Sequence, residues 1–132
     1  MKSTLARTIA VTLALVFMLG AVPAQAHERI EPTRLTLNAN HTRVDRGDRV
    51  TFSGSLKSDW KRCRAYKSVT LFRGKSPVAT RKTTRAGLYA FTVRVTATKT
   101  WRVKFRGKRW GVHPHVHRCL RSSSRGITVR VR

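Results

Sequence analysis

The stretch LYAFTVRV, residues 88–95, decides the fold class. Large apolar side chains stand at every second position, so that Tyr89, Phe91, Val93 and Val95 fall on one face. Successive side chains of a β-strand point to opposite sides, and a period of two indicates a strand with one face in a core. The three preceding residues, RAG, are typical of a turn. The stretch therefore predicts a half-buried strand entered through a tight turn.

The same period recurs in six other short segments that are rich in β-branched and aromatic residues. They are residues 33–39, 49–56, 68–72, 77–84, 100–105 and 127–131. No segment keeps a helical period. Seven short alternating strands predict an all-β domain, namely a single seven-stranded antiparallel sandwich of immunoglobulin type with Greek-key connections.

The turns between these strands carry a family resemblance. The segments VDRGDRVTFSGSL, SVTLF, RAGLYAFTVRV, TWRVKFRG and ITVRV, with glycines at 47, 54, 87 and 107, run in that order along residues 33–132. This pattern resembles the bacterial immunoglobulin-like (Ig-like) domains of secreted proteins from high-GC Gram-positive bacteria. The resemblance implies the sandwich fold. It also implies a module that serves adhesion, spacing or carbohydrate contact.

The first 26 residues have the features of a secretory signal peptide. Lys2 and Arg7 precede an apolar run at 9–22, and the small residues of AQA, 24–26, supply a cleavage site. The apolar run is too short for a membrane span, which needs about 20 residues. We therefore expect residues 1–26 to be removed and the protein to be secreted into the extracellular space.

Cleavage after Ala26 makes His27 the first mature residue, and cleavage after Ala24 is the alternative. The mature chain of about 106 residues is long enough for one core. Residues 27–32 form an N-terminal extension in this interpretation, and 33–132 form the Ig-like domain. No second long apolar run follows, so we expect no membrane span after signal removal. The oligomeric state is left open.

The charge of the mature chain is strongly positive. Without Lys2 and Arg7 it has 27 basic residues against 5 acidic ones, a formal charge of about +22, and nothing after Asp59 is acidic. Such a field attracts polyanions and speeds association with them. An anionic polymer or cell surface is the expected partner. The alternative is that the basic surface only keeps a secreted protein soluble.

Strand parity predicts where part of this charge lies. Residues of 100–105 and 127–131 that alternate with the apolar ones point outward on two neighbouring strands. The basic candidates on this face are Arg102, Lys104, Arg106 and Arg130. Nucleic acid is a possible partner but is not favoured, because base stacking needs exposed aromatic rings and most aromatics here have core parity.

The two cysteines predict one disulfide, Cys63 to Cys119, because an exported chain meets an oxidising environment. Both cysteines fall in connections that emerge at the same end of an Ig sandwich. The bridge would gather a ligand surface with GVHPHVHRC, residues 111–119, as one wall. Its candidate residues are Trp60, Lys61, Arg62, Arg64, Tyr66, Trp110, His113, His115, His117 and Arg118. The alternative is that the bridge only stabilises a small domain.

The histidines raise a second possibility, a copper or zinc site. His113, His115 and His117 share one face of an extended segment, and two neighbours could hold one ion. A mature N-terminus at His27 would add an α-amine beside an imidazole. The other interpretations are a solvated loop and hydrogen-bonding contacts to a ligand.

Catalysis has little support in the sequence. The chain lacks paired carboxylates placed for acid–base work, and it has no G-x-S-x-G, H-E-x-x-H or Gly-rich phosphate loop. We therefore expect a secreted, cationic, non-enzymatic binding module for a cell-wall polymer, acidic glycan or nucleic acid, without a cofactor. A secreted copper- or zinc-binding protein is the alternative.

Overall fold

The computed structural model describes Gly20 and residues 27–132; the rest of the predicted signal peptide lies outside the described residues. Thirteen strands make up this part of the chain. They are β1 (His27–Glu31), β2 (Arg34–Leu35), β3 (Asn38–Ala39), β4 (Arg43–Val44), β5 (Asp48–Lys57), β6 (Ser68–Arg73), β7 (Ser76–Lys82), β8 (Leu88–Val95), β9 (Lys99–Phe105), β10 (Lys108–Val112), β11 (His115–Cys119), β12 (Ser122–Ser123) and β13 (Ile127–Val131). Within these residues the one helical element is a short 3-10 helix, Lys61–Cys63. The prediction of an all-β fold is confirmed.

A four-stranded sheet is organised around β5. Both β2 and β3 pair with one edge of β5, and β8 pairs antiparallel with the other edge along eight residue pairs, from Asp48↔Val95 to Ser55↔Leu88. The alternation predicted for 88–95 is observed, since Tyr89, Phe91 and Val95 are buried while the residues between them are half-buried or exposed. One face of this sheet therefore supplies apolar side chains to the core.

A six-stranded sheet supplies the opposite side of the core. Its order is β4-β13-β9-β6-β7, and β12 adds to β9. The Phe52 ring of β5 stacks on the Trp101 ring of β9 with centroids 4.9 Å apart, so the two sheets meet through their aromatic residues. Both rings are almost fully buried. Burying a side chain of this size stabilises a fold by about 1.5–3 kcal/mol.

The prediction of a single seven-stranded sandwich is wrong, because a third sheet of order β1-β11-β10 is present. Strands β10 and β11 form a hairpin, and β1 pairs with β11 in parallel, from His27↔His115 to Glu31↔Cys119. The stretch 111–119 is therefore mainly β-structure and not a solvated loop. These strands carry polar residues on both sides, so they lack the apolar alternation that identified the others. The backbone N–H and C=O groups of these strands form hydrogen bonds with one another.

The predicted disulfide is confirmed. Cys63 ends the 3-10 helix and Cys119 ends β11, with their Cα atoms 5.5 Å apart and both side chains buried. Cys119 thus lies in a strand, which corrects its predicted place in a connection. Closing a loop of this length stabilises the fold by about 4 kcal/mol in the chain-entropy model. The bridge fixes the third sheet to the segment that joins β5 to β6.

Candidate functional site

A cavity of about 570 Å³ lies on the outer face of the six-stranded sheet, where that sheet meets β10. Five cationic side chains line it: Lys67, Lys82, Lys104, Arg106 and Lys108. No acidic side chain stands among its lining residues within the described part of the chain. The cavity is therefore a concentration of positive charge without a carboxylate to balance it.

Strand register explains why these cations converge. Thr70 of β6 pairs with Lys104 of β9 on one side and with Thr80 of β7 on the other. Ser68, two residues earlier on the same face, pairs with Lys82. Side chains in register on neighbouring strands stand close together. The alternation that buries the apolar residues of β6 and β9 thus aligns polar and cationic residues outside.

Two contacts order the floor of this cavity. The Thr70 and Thr80 hydroxyls are 3.1 Å apart and hydrogen-bonded. The Lys104 ammonium lies 4.8 Å from the centre of the half-buried Phe72 ring, which attracts it through a cation–π interaction. Both contacts hold side chains on the outer face of the sheet.

A second cavity of about 540 Å³ adjoins the first and shares Tyr66, Lys67 and Lys108 with it. Lys61, Arg62, Ala65 and Trp110 complete its lining. We refer to the two cavities together as the basic groove. It runs from Lys104 on the six-stranded sheet to Trp110 on the hairpin.

Lys67 lies where the two cavities meet, and its charge is poorly compensated. Burial is the main cause that lowers the pKa of Lys67, and the positive charges of Lys108 and Arg62 lower it further. The Lys67 ammonium stands 5.6 Å from the centre of the Trp110 ring. An anion placed here would remove the mutual repulsion of these cations.

Tyr66 stands at the same junction in an unusual conformation. Its φ is +54°, the one positive value at a non-glycine residue among those described, and its side chain is 61% exposed. The buried hydroxyl of Thr83 holds the chain on both sides: it donates to the Arg64 carbonyl at 2.6 Å and accepts from the Lys67 amide at 2.8 Å. The exposed ring is thus presented by a fixed backbone.

An aromatic cluster borders the groove beside the disulfide. The Trp60 and Trp110 rings lie 5.2 Å apart, and the His117 ring lies 5.4 and 5.8 Å from them respectively. The Arg29 guanidinium stands 4.2 Å from the centre of the Trp60 ring. His117 Nδ1 is buried and has no hydrogen-bond partner in the structure. The cluster packs β1, β11 and β10 against the 3-10 helix.

The structure brings together part of the predicted site. The groove contains six of the candidates, namely Lys61, Arg62, Tyr66, Lys104, Arg106 and Trp110. Arg102 adjoins the groove, because it pairs with Phe72 on the same face. Trp60 stands behind Trp110 in the aromatic cluster.

Three other candidates lie elsewhere. The Arg64 guanidinium donates to the Ser58 carbonyl at 2.7 Å, which gives it a structural role. Arg118 is an exposed neighbour of Glu28, with 3.6 Å between guanidinium and carboxylate. Arg130 pairs with Arg43 of β4, beyond the residues that join β13 to β9.

Three cations of the groove were not among the predicted site residues. Lys82 lies on the predicted strand segment 77–84, and its outward position follows from its pairing with Ser68. Lys108 opens β10, a strand that was not predicted. Lys67 precedes β6 and has no signal in the period of two. Their common feature, the absence of any acid after Asp59, was visible in the sequence.

The structure brings some of the histidines together. His27 pairs with His115, and the His27 and His117 rings lie 6.4 Å apart, so these three histidines are the candidates to hold a metal ion. His113 lies in the hairpin turn, before Pro114. No group of three or more His, Cys, Asp or Glu side chains suited to a metal ion is found in the described residues.

Comparisons with protein-family models, curated proteins and solved structures gave no significant match to this chain. Among the residues that the structure describes, no helix is long and apolar enough to cross a membrane. The chemistry of the basic groove is thus the main guide to function.

Proposed function

We propose that this chain is a secreted, non-enzymatic, Ig-like binding module that holds an anionic polymer along the basic groove. One observation carries the proposal: five cationic side chains line a single cavity that no acidic residue lines in the described part of the chain. The two large sheets packed across one core, with β9 between β13 and β6, support the immunoglobulin-like part of the proposal and the kinship with bacterial Ig-like domains. The third sheet is then an addition to that plan.

The physical support is an imbalance of charge. Lys82 of β7 and Lys104 of β9 lie on the same outer face with only β6 between them, so their positive charges repel each other without a nearby carboxylate to offset the repulsion. A linear polymer with regularly spaced anionic groups could neutralise several such cations at once and release its condensed counterions. The same field would raise the rate of association.

Salt dependence tests this proposal. Binding of a fluorescent polyanion, measured by anisotropy, should weaken log-linearly between about 50 and 200 mM salt, because counterion release drives it. Replacing Lys104→Gln with Lys108→Gln should weaken binding and reduce the slope by about two. The control variant Arg49→Gln with Lys57→Gln removes the same charge from exposed positions of β5, on the other sheet, and should leave the slope nearly unchanged. Binding that is indifferent to salt would contradict the proposal.

A second candidate function is copper or zinc binding by His27 with His115 and His117. The register that pairs His27 with His115, and the 6.4 Å between the His27 and His117 rings, support it. A small rotation of two imidazoles could bring two nitrogens to one ion, and a free α-amine at His27 would be a third ligand.

Calorimetric titration with copper(II) tests the second candidate. The mature protein should bind about one equivalent, and His115→Ala with His117→Ala, or one residue added before His27, should weaken binding at least tenfold. His41→Ala is the control, since His41 is exposed and outside the third sheet. Equal affinity in all four proteins would exclude a site at these residues.

A further inference from the structure

Tyr66 has an energetic cost that its packing does not explain. A non-glycine residue in the left-handed region is uncommon and costs about 1–2 kcal/mol. A ring that is 61% exposed recovers little of that through burial. Strained residues of this kind concentrate where a function requires a particular geometry. The conformational cost at Tyr66 is therefore consistent with a functional need for its exposed ring.

The surroundings of Tyr66 fix the backbone that carries the ring. The Thr83 hydroxyl binds the backbone on both sides of it, at the Arg64 carbonyl and the Lys67 amide. Thr83 is itself almost fully buried. A backbone that is already ordered loses little entropy when a ligand binds to the side chain it carries, which is the property expected at a contact residue.

Tyr66 also lies at the centre of the basic groove. It lines both cavities, as Lys67 and Lys108 do. A polymer that follows the groove from Lys104 toward Trp110 would therefore pass a flat exposed ring between two clusters of cations. Alternating aromatic and cationic contacts are the arrangement by which proteins bind single-stranded nucleic acid, stacking on its bases and pairing with its phosphates.

The chemistry of the lining separates this ligand from an acidic glycan. Lysine, arginine and tryptophan side chains only donate hydrogen bonds, and a phosphodiester oxygen only accepts them. The many hydroxyl groups of a glycan also need acceptors. The groove lining has no side-chain carboxylate or amide among the described residues, so its side-chain acceptors are limited to the hydroxyls of Tyr66, Ser68, Thr70 and Thr80.

We propose that the basic groove binds single-stranded nucleic acid, with a base stacked on Tyr66 and phosphates held by Lys67, Lys104 and Lys108. The ligand must be single-stranded, because in a duplex the face of each base is covered by the neighbouring bases and cannot stack on Tyr66. This inference rests on the proposed function, since it names the anionic polymer.

The test compares two polyanions on the same protein. Anisotropy of labelled oligothymidylate and of labelled inorganic polyphosphate would be measured for the mature chain, for Tyr66→Gly and for Tyr66→Phe. Glycine adopts a positive φ without strain, so Tyr66→Gly should fold. It should bind oligothymidylate about tenfold more weakly, as expected for the loss of one stacked base. Its affinity for polyphosphate should be unchanged. Tyr66→Phe should retain the affinity for oligothymidylate.

Two results would overturn the inference while leaving the proposed function intact. One is a Tyr66→Gly variant that binds oligothymidylate as well as the wild type does, or weakens for both polymers equally. The other is an acidic glycan, such as a polyuronate of matched charge, that displaces oligothymidylate completely at equal concentration of anionic groups. If neither oligothymidylate nor polyphosphate binds in a salt-dependent way, the proposed function fails as well.

Discussion

At the scale of single residues, Lys67 connects the groove's charge to its pH dependence. Burial and the cations Lys108 and Arg62 lower its pKa below the ordinary 10.5 of lysine. The folded protein therefore holds fewer protons than the unfolded chain between the lowered pKa and 10.5. The stability of the fold should accordingly rise with pH across that window.

The affinity for a polyanion should fall as the pH rises, whereas the stability of the fold should increase. Because its pKa is lowered, Lys67 loses its charge at a pH below 10.5, so affinity should fall a few-fold in a first alkaline step. Lys67→Arg should abolish this first step, because arginine stays protonated. Binding curves at several pH values and constant ionic strength would measure this. Lys75→Arg is the control at an exposed turn position outside the groove; an identical first step in wild type and Lys67→Arg would rule out Lys67 as its origin.

Gly54 shows how closely the four-stranded sheet is packed at one residue. A Cβ at this position would overlap the Thr36 carbonyl and lie 2.7 Å from the Tyr89 hydroxyl, which itself donates to that carbonyl. We expect Gly54→Ala to lower the free energy of unfolding by about 1–3 kcal/mol, measured by urea denaturation. Ser53→Ala, at the exposed neighbouring position of β5, should change it by less than about 0.5 kcal/mol.

At the scale of elements, the sequence predicts strands only where one face is apolar. Phe52, Trp101 and Phe91 alternate with polar residues, and all three are buried as expected. Strands β10 and β11 could not be predicted in this way, because Lys108, Arg109 and the histidines give no apolar face. The half of the basic groove on β9 was therefore visible as outward charge, while in the half contributed by the hairpin Trp110 was a predicted site residue and Lys108 was not.

The disulfide attaches the hairpin side of the groove to the segment that joins β5 to β6. Replacing Cys63→Ser with Cys119→Ser should leave the two large sheets folded, because most of the residues that share the core with the two cysteines lie on the strands of those sheets. Amides of 108–119 should exchange with deuterium at least tenfold faster, since β10 and β11 lose their covalent attachment. Polyanion affinity should fall, because Lys108 and Trp110 lose their fixed position. If amide exchange and polyanion affinity are both unchanged in the double variant, the disulfide does not position the groove.

At the scale of the whole molecule, the formal charge of +24 carried by the sequence acts against compactness. Three ion pairs occur among the described residues, and all join partners 3.6–3.9 Å apart near the surface, where such pairs contribute about 0–1 kcal/mol each. They cannot offset the repulsion among so many cations. The fold should therefore be sensitive to screening.

Salt should thus affect stability and binding in opposite directions. Raising sodium chloride from about 10 to 200 mM shortens the Debye length from about 30 to under 10 Å, so the Tm of the free protein should rise by several degrees. Affinity for a polyanion should fall over the same range. Calorimetry and anisotropy on one sample series would show both trends. A Tm that falls with salt would mean that attraction, not repulsion, dominates the charge distribution.

The parallel pairing of β1 with β11 has a consequence for the order in which the molecule is completed. A chain that emerges amino end first delivers β1 before every other strand, yet the partner of β1 lies near the opposite end. Contacts between distant parts of a chain carry the largest loop-closure entropy and form slowly. The first of the described strands to be synthesised is then the last to find its partner. Until it does, the folding chain has an open β-strand edge on β11 that could accept another strand.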